Sequence, residues 1–135
     1  MNPLLRRLRD DRGSASTQLV LVVPVLLLLV LLIVQFALVW HARHIAQFAA
    51  QRALAAARVK DATAADGRAQ ARRSLAVLGS RILAAPSVAV DRTTAQTTAR
   101  VGGTVIAVVP GLALHASGTA SGPTEKITTP SGERS

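Results

Sequence analysis

From Leu19 to Val34 the chain reads LVLVVPVLLLLVLLIV, with no polar side chain, and beyond Gln35 the run resumes as FALVW to Trp40. At about 1.5 Å per residue, a helix from Leu19 to Trp40 reaches ~33 Å, enough to cross a hydrocarbon layer about 30 Å thick. A core helix of a soluble domain is the first alternative, but a chain of 135 residues has too little else to surround it. A cleaved secretory signal is the second, since arginines precede the run. Against it, the apolar stretch exceeds the roughly 7 to 15 residues of a signal's apolar region, and the next small-x-small site falls beyond Trp40 in the charged segment HARHIAQFAAQ. The expectation is a single transmembrane helix with a small domain on one side.

Two side chains inside this run stand out. Pro24 removes a backbone donor and presses on the preceding turn, so a kink or a loosened turn is expected, re-satisfied locally or at a helix contact. Gln35 is the one amide of the stretch. Either it reaches the outer interface from its near-terminal position or it takes part in helix packing. Trp40 with His41 fits an interfacial anchor. Four arginines before the span (Arg6, Arg7, Arg9, Arg12) are balanced by Arg43, Arg52, Arg58 and Lys60 after it, so charge alone does not orient the helix. Length does, in part. The N-terminal flank is short and the C-terminal part is long enough to be translocated despite its charge, which puts the N-terminus in the cytoplasm and the domain outside.

The residues leading into the span, RRLRDDRGSASTQLVLVVP, order a basic leader, a glycine, small polar residues and then the apolar helix. This order resembles the leader of type IV pilin-like proteins, and most of all that of TadE-like pseudopilins of tight-adherence (Tad or Flp) pilus systems. The resemblance covers Arg12 to about Val59 and implies cleavage by a prepilin peptidase between Gly13 and Ser14, in front of the helix rather than behind it. A glycine suits such a site because it presents no side chain to the protease and leaves the backbone free to extend. In the family a glutamate stands fifth after the cut and is thought to pair with an N-terminal amine. Here that position is Gln18, whose amide accepts a hydrogen bond but lacks the charge that would strengthen it.

Beyond the membrane, His41 to Val59 (HARHIAQFAAQRALAAARV) contains no Gly or Pro and is rich in good helix formers, so the span is expected to continue outward to about residue 60. Ala42, Ala46, Ala49, Ala50, Ala53 and Ala57 recur at spacings of three and four. They make a stripe open to close approach by another helix, or simply reflect alanine's helix propensity. A second helix is expected after a cap at Asp61 or Thr63, its start loosened by Asp66-Gly67. Its apolar face is Ala71, Leu75, Leu78 and Ile82, and it should end near Ala84, stopped by Pro86. The period then becomes two: Val88 and Val90, then Ala99, Val101, Gly103, Val105, Ala107 and Val109, with Gly102-Gly103 as a bulge or turn. Pro110-Gly111 reads as a turn into a third strand at Leu112, Leu114 and Ala116. The fold class is therefore α+β: a transmembrane helix continuing into a pilin-like domain with a second helix and a small antiparallel sheet. The organisation is leader 1–13, span 14–40, helix extension 41–60, α+β domain 61–116 and flexible tail 117–135.

The composition argues against catalysis. There is no cysteine, no nucleophile motif, no phosphate-binding glycine loop, and only five acids follow the span. His41 and His44 share a helix face, yet no third ligand lies nearby and His115 is isolated, so neither metal nor cofactor is expected. The net charge of +9 suggests an anionic neighbour. Phe48 is the one Phe, Tyr or Trp among the arginines from Arg43 to Arg81, short of the series of stacking platforms that single-strand binding needs, so lipid headgroups or cell-wall polyanions are favoured over nucleic acid. The expected function is that of a non-enzymatic minor pilin or pseudopilin of a bacterial Tad-type pilus or related secretion system. Its partners would be other pilin-like subunits, Tad assembly machinery, a prepilin peptidase and membrane lipid. The alternative is a membrane-anchored binder whose basic stalk holds lipid or wall polyanions.

Overall fold

The computed structural model describes residues 3–126, with side-chain surroundings from Ser16 onward. One helix, α1, runs from Pro3 to Arg58 through Pro24. Its 56 residues give a rod on the order of 80 Å long. Pro24 does not end it, because a proline in a helix costs one hydrogen bond and the leucines and valines on either side all continue the helical run. The last part of α1 carries the rest of the protein. A second helix, α2 (Ala64–Leu78), and three strands, β1 (Leu83–Arg92), β2 (Gln96–Val105) and β3 (Leu114–Pro123), pack around it. The strands form one antiparallel sheet in the order β1-β2-β3. The architecture is α+β, as the sequence predicts.

The alanine stripe settles where the core lies. Ala42, Ala46, Ala49, Ala50, Ala53 and Ala57 are all fully buried, beneath the chain's own sheet and α2. Of the two readings left open, close approach is correct, but what approaches is this domain and not another helix of the membrane. Small side chains bring the sheet so near that its own inward positions must also be small. Thr97, Ala99, Val101, Gly103 and Val105 of β2 face α1, while Arg100 points away. At Gly118 of β3, a Cβ would overlap the backbone of Ala46 and Gln47. At Gly67 of α2, a Cβ would come within 2.8 Å of the Ala53 carbonyl oxygen and the Ala57 methyl. Gly67 therefore marks the crossing of the two helices rather than a ragged start.

Thr63 is the N-cap of α2. Its backbone N–H donates to Asp66 Oδ2 at 2.7 Å, its hydroxyl donates to the same oxygen at 2.8 Å, and the Asp66 N–H donates back to the hydroxyl at 3.3 Å. This is a closed capping box with aspartate in place of the usual glutamate. The Thr63 backbone N–H, and next its hydroxyl, hold the Asp66 carboxyl below its ordinary 3.8. A lowered folded value means that the contribution is complete above about 3.8 and is lost as pH falls through the folded value. Thr63→Ala is expected to cost about 1 kcal/mol at neutral pH. In denaturant unfolding, the gap between wild type and variant should narrow under acid.

Several boundaries differ from expectation. The strand expected through Ala107 and Val109 ends at Val105, and the third begins at Leu114 rather than Leu112. The second helix ends at Leu78, not near Ala84. The N–H of Gly79 closes on the Leu75 carbonyl at 2.8 Å, and the N–H groups of Ile82 and Leu83 then both turn back to the Gly79 carbonyl. Gly79 is tight against Ile45 of α1, with a Cβ only 3.3 Å from its Cγ2, so the chain turns where the two helices touch. Ile82 keeps its place against the core from that turn. The irregularity expected at Gly102-Gly103 lies on the opposite strand, where β1 carries one extra residue, Ala85 and Pro86 standing against Gly103 alone between the pairs Ala84–Thr104 and Ser87–Gly102. Pro86 is tolerated there because β1 is an edge strand. Finally, residues 117–123 are not tail: they pair with β2 from Ser117–Gly102 to Pro123–Gln96. Of the expected tail, residues 127–135 lie outside the described residues.

The far end of α1 is closed by partners distant in sequence. Arg92 Nε donates to the Ala57 carbonyl at 2.8 Å and its Nη2 to the Val59 carbonyl at 3.2 Å, while the Glu125 N–H takes the Arg58 carbonyl at 3.0 Å. The last two carbonyls of α1, which a helix leaves without intrahelical partners, are thereby occupied.

Candidate functional site

Helix α1 has two halves with opposite surroundings, and their junction is the part of the molecule with functional content. From Leu19 to Val30 every side chain is exposed, with Leu31 and Leu32 only partly covered. The residues are apolar on all sides, so no face is set aside for water, the pattern of a helix in lipid or among other apolar helices. This is the single candidate membrane span among the described residues. Gln18 and Pro24 both lie on this bare half and are exposed. Gly13 and Ser14 fall within the helical span, and their side chains lie outside the described ones.

Coverage begins at Gln35, which is 0% exposed. Its Nε2 donates to the Ile106 carbonyl at 3.3 Å, and its Oε1 accepts from the N–H of Val108 at 2.6 Å and of Val109 at 3.4 Å. The amide is thus used inside the chain, holding the β2–β3 connection against the helix. It serves neither as a free interfacial group nor as a contact to another helix. Gln47 repeats the device three turns further on. Its Nε2 donates to the Thr119 carbonyl at 3.0 Å and its Oε1 accepts from the Thr119 N–H at 3.1 Å, so one side chain pairs with the open edge of β3 as a neighbouring strand would. Sequence inspection does not single out Gln47, and its only signal is a polar residue at the border of the alanine stripe.

Trp40 is 68% exposed and meets His44 edge-on, with ring centroids 5.3 Å apart. With Phe36, Val39, Arg43, Leu114 and His115 it lines a shallow cleft between α1 and the start of β3. His41 is exposed beside it. An aromatic residue at the top of an apolar rod, with arginine and histidine one turn above, is the layering found at a membrane boundary. Among the described residues, no three His, Asp or Glu side chains come together to hold a metal ion.

A family model described as TadE-like protein matches residues 13–55. This segment is TadE-like. The match opens at Gly13, takes in the whole bare half and the Gln35 junction, and ends within the alanine stripe. The matched segment lies within α1, and α2 and the sheet lie beyond it. No curated protein and no solved structure matches the chain. The TadE-like family is related to Tad/Flp pili and is typically structural rather than enzymatic. Together with the apolar helix, the match supports membrane anchoring.

Proposed function

We propose that the protein is a minor pilin or pseudopilin of a Tad-type pilus or a related secretion system. It is anchored by α1 with its N-terminus in the cytoplasm and its domain outside, and a prepilin peptidase cuts it after Gly13. The observation that carries this reading is the division of α1: exposed on all sides and apolar from Leu19 to Val30, and covered on one face by its own domain from Gln35 onward. A cut at Gly13 leaves the bare half intact at the new N-terminus. Such a rod can exchange lipid for the apolar rods of other pilin-like subunits without disturbing the domain, whose alanine face is already occupied. Gln18, exposed near the cut, offers an acceptor to a neighbour's N-terminal ammonium but supplies no charge, which suits a subunit present in few copies. The partners are sister subunits, the assembly machinery, the peptidase and lipid.

Gly13→Leu should retain the leader, seen as a fixed increase in mass over the wild-type protein made in the same cells with an active prepilin peptidase. A difference no larger than the substitution itself, in place of the whole 13-residue leader, would count against the reading.

A second reading is supported by the arginines of α2. Arg72 and Arg73 are exposed and Arg68 partly so, on the face of α2 turned away from the core. A membrane-anchored binder of polyanions would use this face. Association of the full chain with wall polymer should then weaken steeply with salt, and indifference to salt would exclude it.

A further inference from the structure

The connection from Ile106 to Ala113 reads IAVVPGLA and has no charged or hydrogen-bonding side chain. Connections that face water are usually polar, and the β1–β2 turn at the other end of this domain, Thr93-Thr94-Ala95, is so. The apolar connection is not buried: Ile106 is 46% and Val108 36% exposed. Its position along α1 is fixed by Gln35, five residues before Trp40, or about 7.5 Å down the helix axis toward the bare half. Phe36 and Trp40, both exposed, lie at the same end, with Arg43 above them.

Part of the backbone of this connection is paired within the protein, at the end nearest Gln35. The Ile106 carbonyl and the N–H groups of Val108 and Val109 are taken by Gln35, the Ile106 N–H goes to the Ile82 carbonyl, and the Leu112 N–H to the Val109 carbonyl. Water would satisfy these groups at no structural cost, whereas hydrocarbon requires partners from within the protein.

We infer that the Ile106–Ala113 connection is a second membrane contact, which dips into the domain-side leaflet of the bilayer that α1 crosses. This rests on α1 being the membrane span. The depth implied by Gln35 is that of the boundary between headgroups and acyl chains, where monotopic apolar segments sit. Counting 20 residues back from Gln35 reaches Ser16, about 30 Å of helix, so the span still fits with its outer limit at Gln35 instead of Trp40. The domain would then rest on the membrane in a fixed orientation, and withdrawing the subunit would mean lifting the loop as well as the helix.

The chain has no cysteine, so single cysteines give unique labels. Full-length Val108→Cys, and separately Ile106→Cys in case one variant folds poorly, would carry a nitroxide in phosphatidylcholine–phosphatidylglycerol nanodiscs. Leu28→Cys serves as the lipid reference and Ser121→Cys, on the open face of the sheet, as the aqueous reference. The expected result is that both loop sites fall between the two references, with relaxation by oxygen raised and relaxation by a water-soluble nickel chelate lowered several-fold relative to Ser121, though less than at the deeper Leu28. Loop sites that behave like Ser121 while Leu28 reads as lipid would overturn the loop contact alone. Nickel access at Leu28 would overturn the membrane span, and the loop contact with it.

Discussion

Gly118→Val is expected to separate the sheet from α1 and unfold the domain while the chain stays in the membrane. Gly118 lies opposite Val101 in the sheet and directly against the helix backbone at Ala46 and Gln47. A flexible side chain could move aside, but a helix backbone cannot without carrying its neighbours along. Overpacking a core typically costs about 1 to 3 kcal/mol, and a clash with backbone belongs at or above the top of that range. The displacement would also pull Thr119 from Gln47, losing both bonds of the edge contact. A small domain with a core mostly of alanine and valine has stability near the bottom of the usual 5 to 15 kcal/mol, roughly, so this one change removes most of it. Limited proteolysis in nanodiscs should cut the variant within residues 61–126 and spare the segment around Leu28. Protection equal to wild type would show that helix and sheet are less closely packed than described.

Gln35→Leu is the second large effect, because it keeps the volume and removes the hydrogen bonds. The Val108 N–H and the Ile106 carbonyl would lose their partner, and a buried polar group left unpaired costs about 1 to 3 kcal/mol. The loss should be local: the β2–β3 connection is freed, while the α2 side of the core is unaffected. Hydrogen exchange at Val108 should accelerate strongly, with Ala71 and Leu75 unchanged. Exchange that rises equally throughout would mean that Gln35 supports the whole domain rather than the connection.

These two positions also mark what the sequence does and does not disclose. The long apolar run and the change of period from helix to strand are local patterns, legible because their physical causes lie within a few residues, and the cap is narrowed to Asp61 or Thr63, with the structure choosing Thr63 through Asp66. Gln35 is conspicuous as a polar residue in an apolar run, but its partners lie 71 to 74 residues away and no local pattern points to them. Gly118 is hidden for a different reason. On β3 the inward positions Ala116, Gly118, Ala120 and Gly122 alternate with Ser117, Thr119 and Ser121, yet the inward residues are so small that the strand looks like a polar tail. The smallness is the consequence of the alanine stripe it meets. The stripe itself is plain in the sequence, but its spacing is the same whether a foreign helix or the chain's own sheet covers it. At the end of α2, Ile82 continues the apolar spacing by coincidence, while Gly79, a common helix-stop residue, carries the correct signal.

The central claim concerns the start of the mature chain, and the intact mass of the protein extracted from its native membrane tests it most directly. A mass corresponding to Ser14 as the first residue is the predicted result. It would show that a cut falls in front of the apolar helix and leaves all of the TadE-like segment but Gly13. A chain that still begins at Met1, or one that begins beyond Trp40, would contradict it.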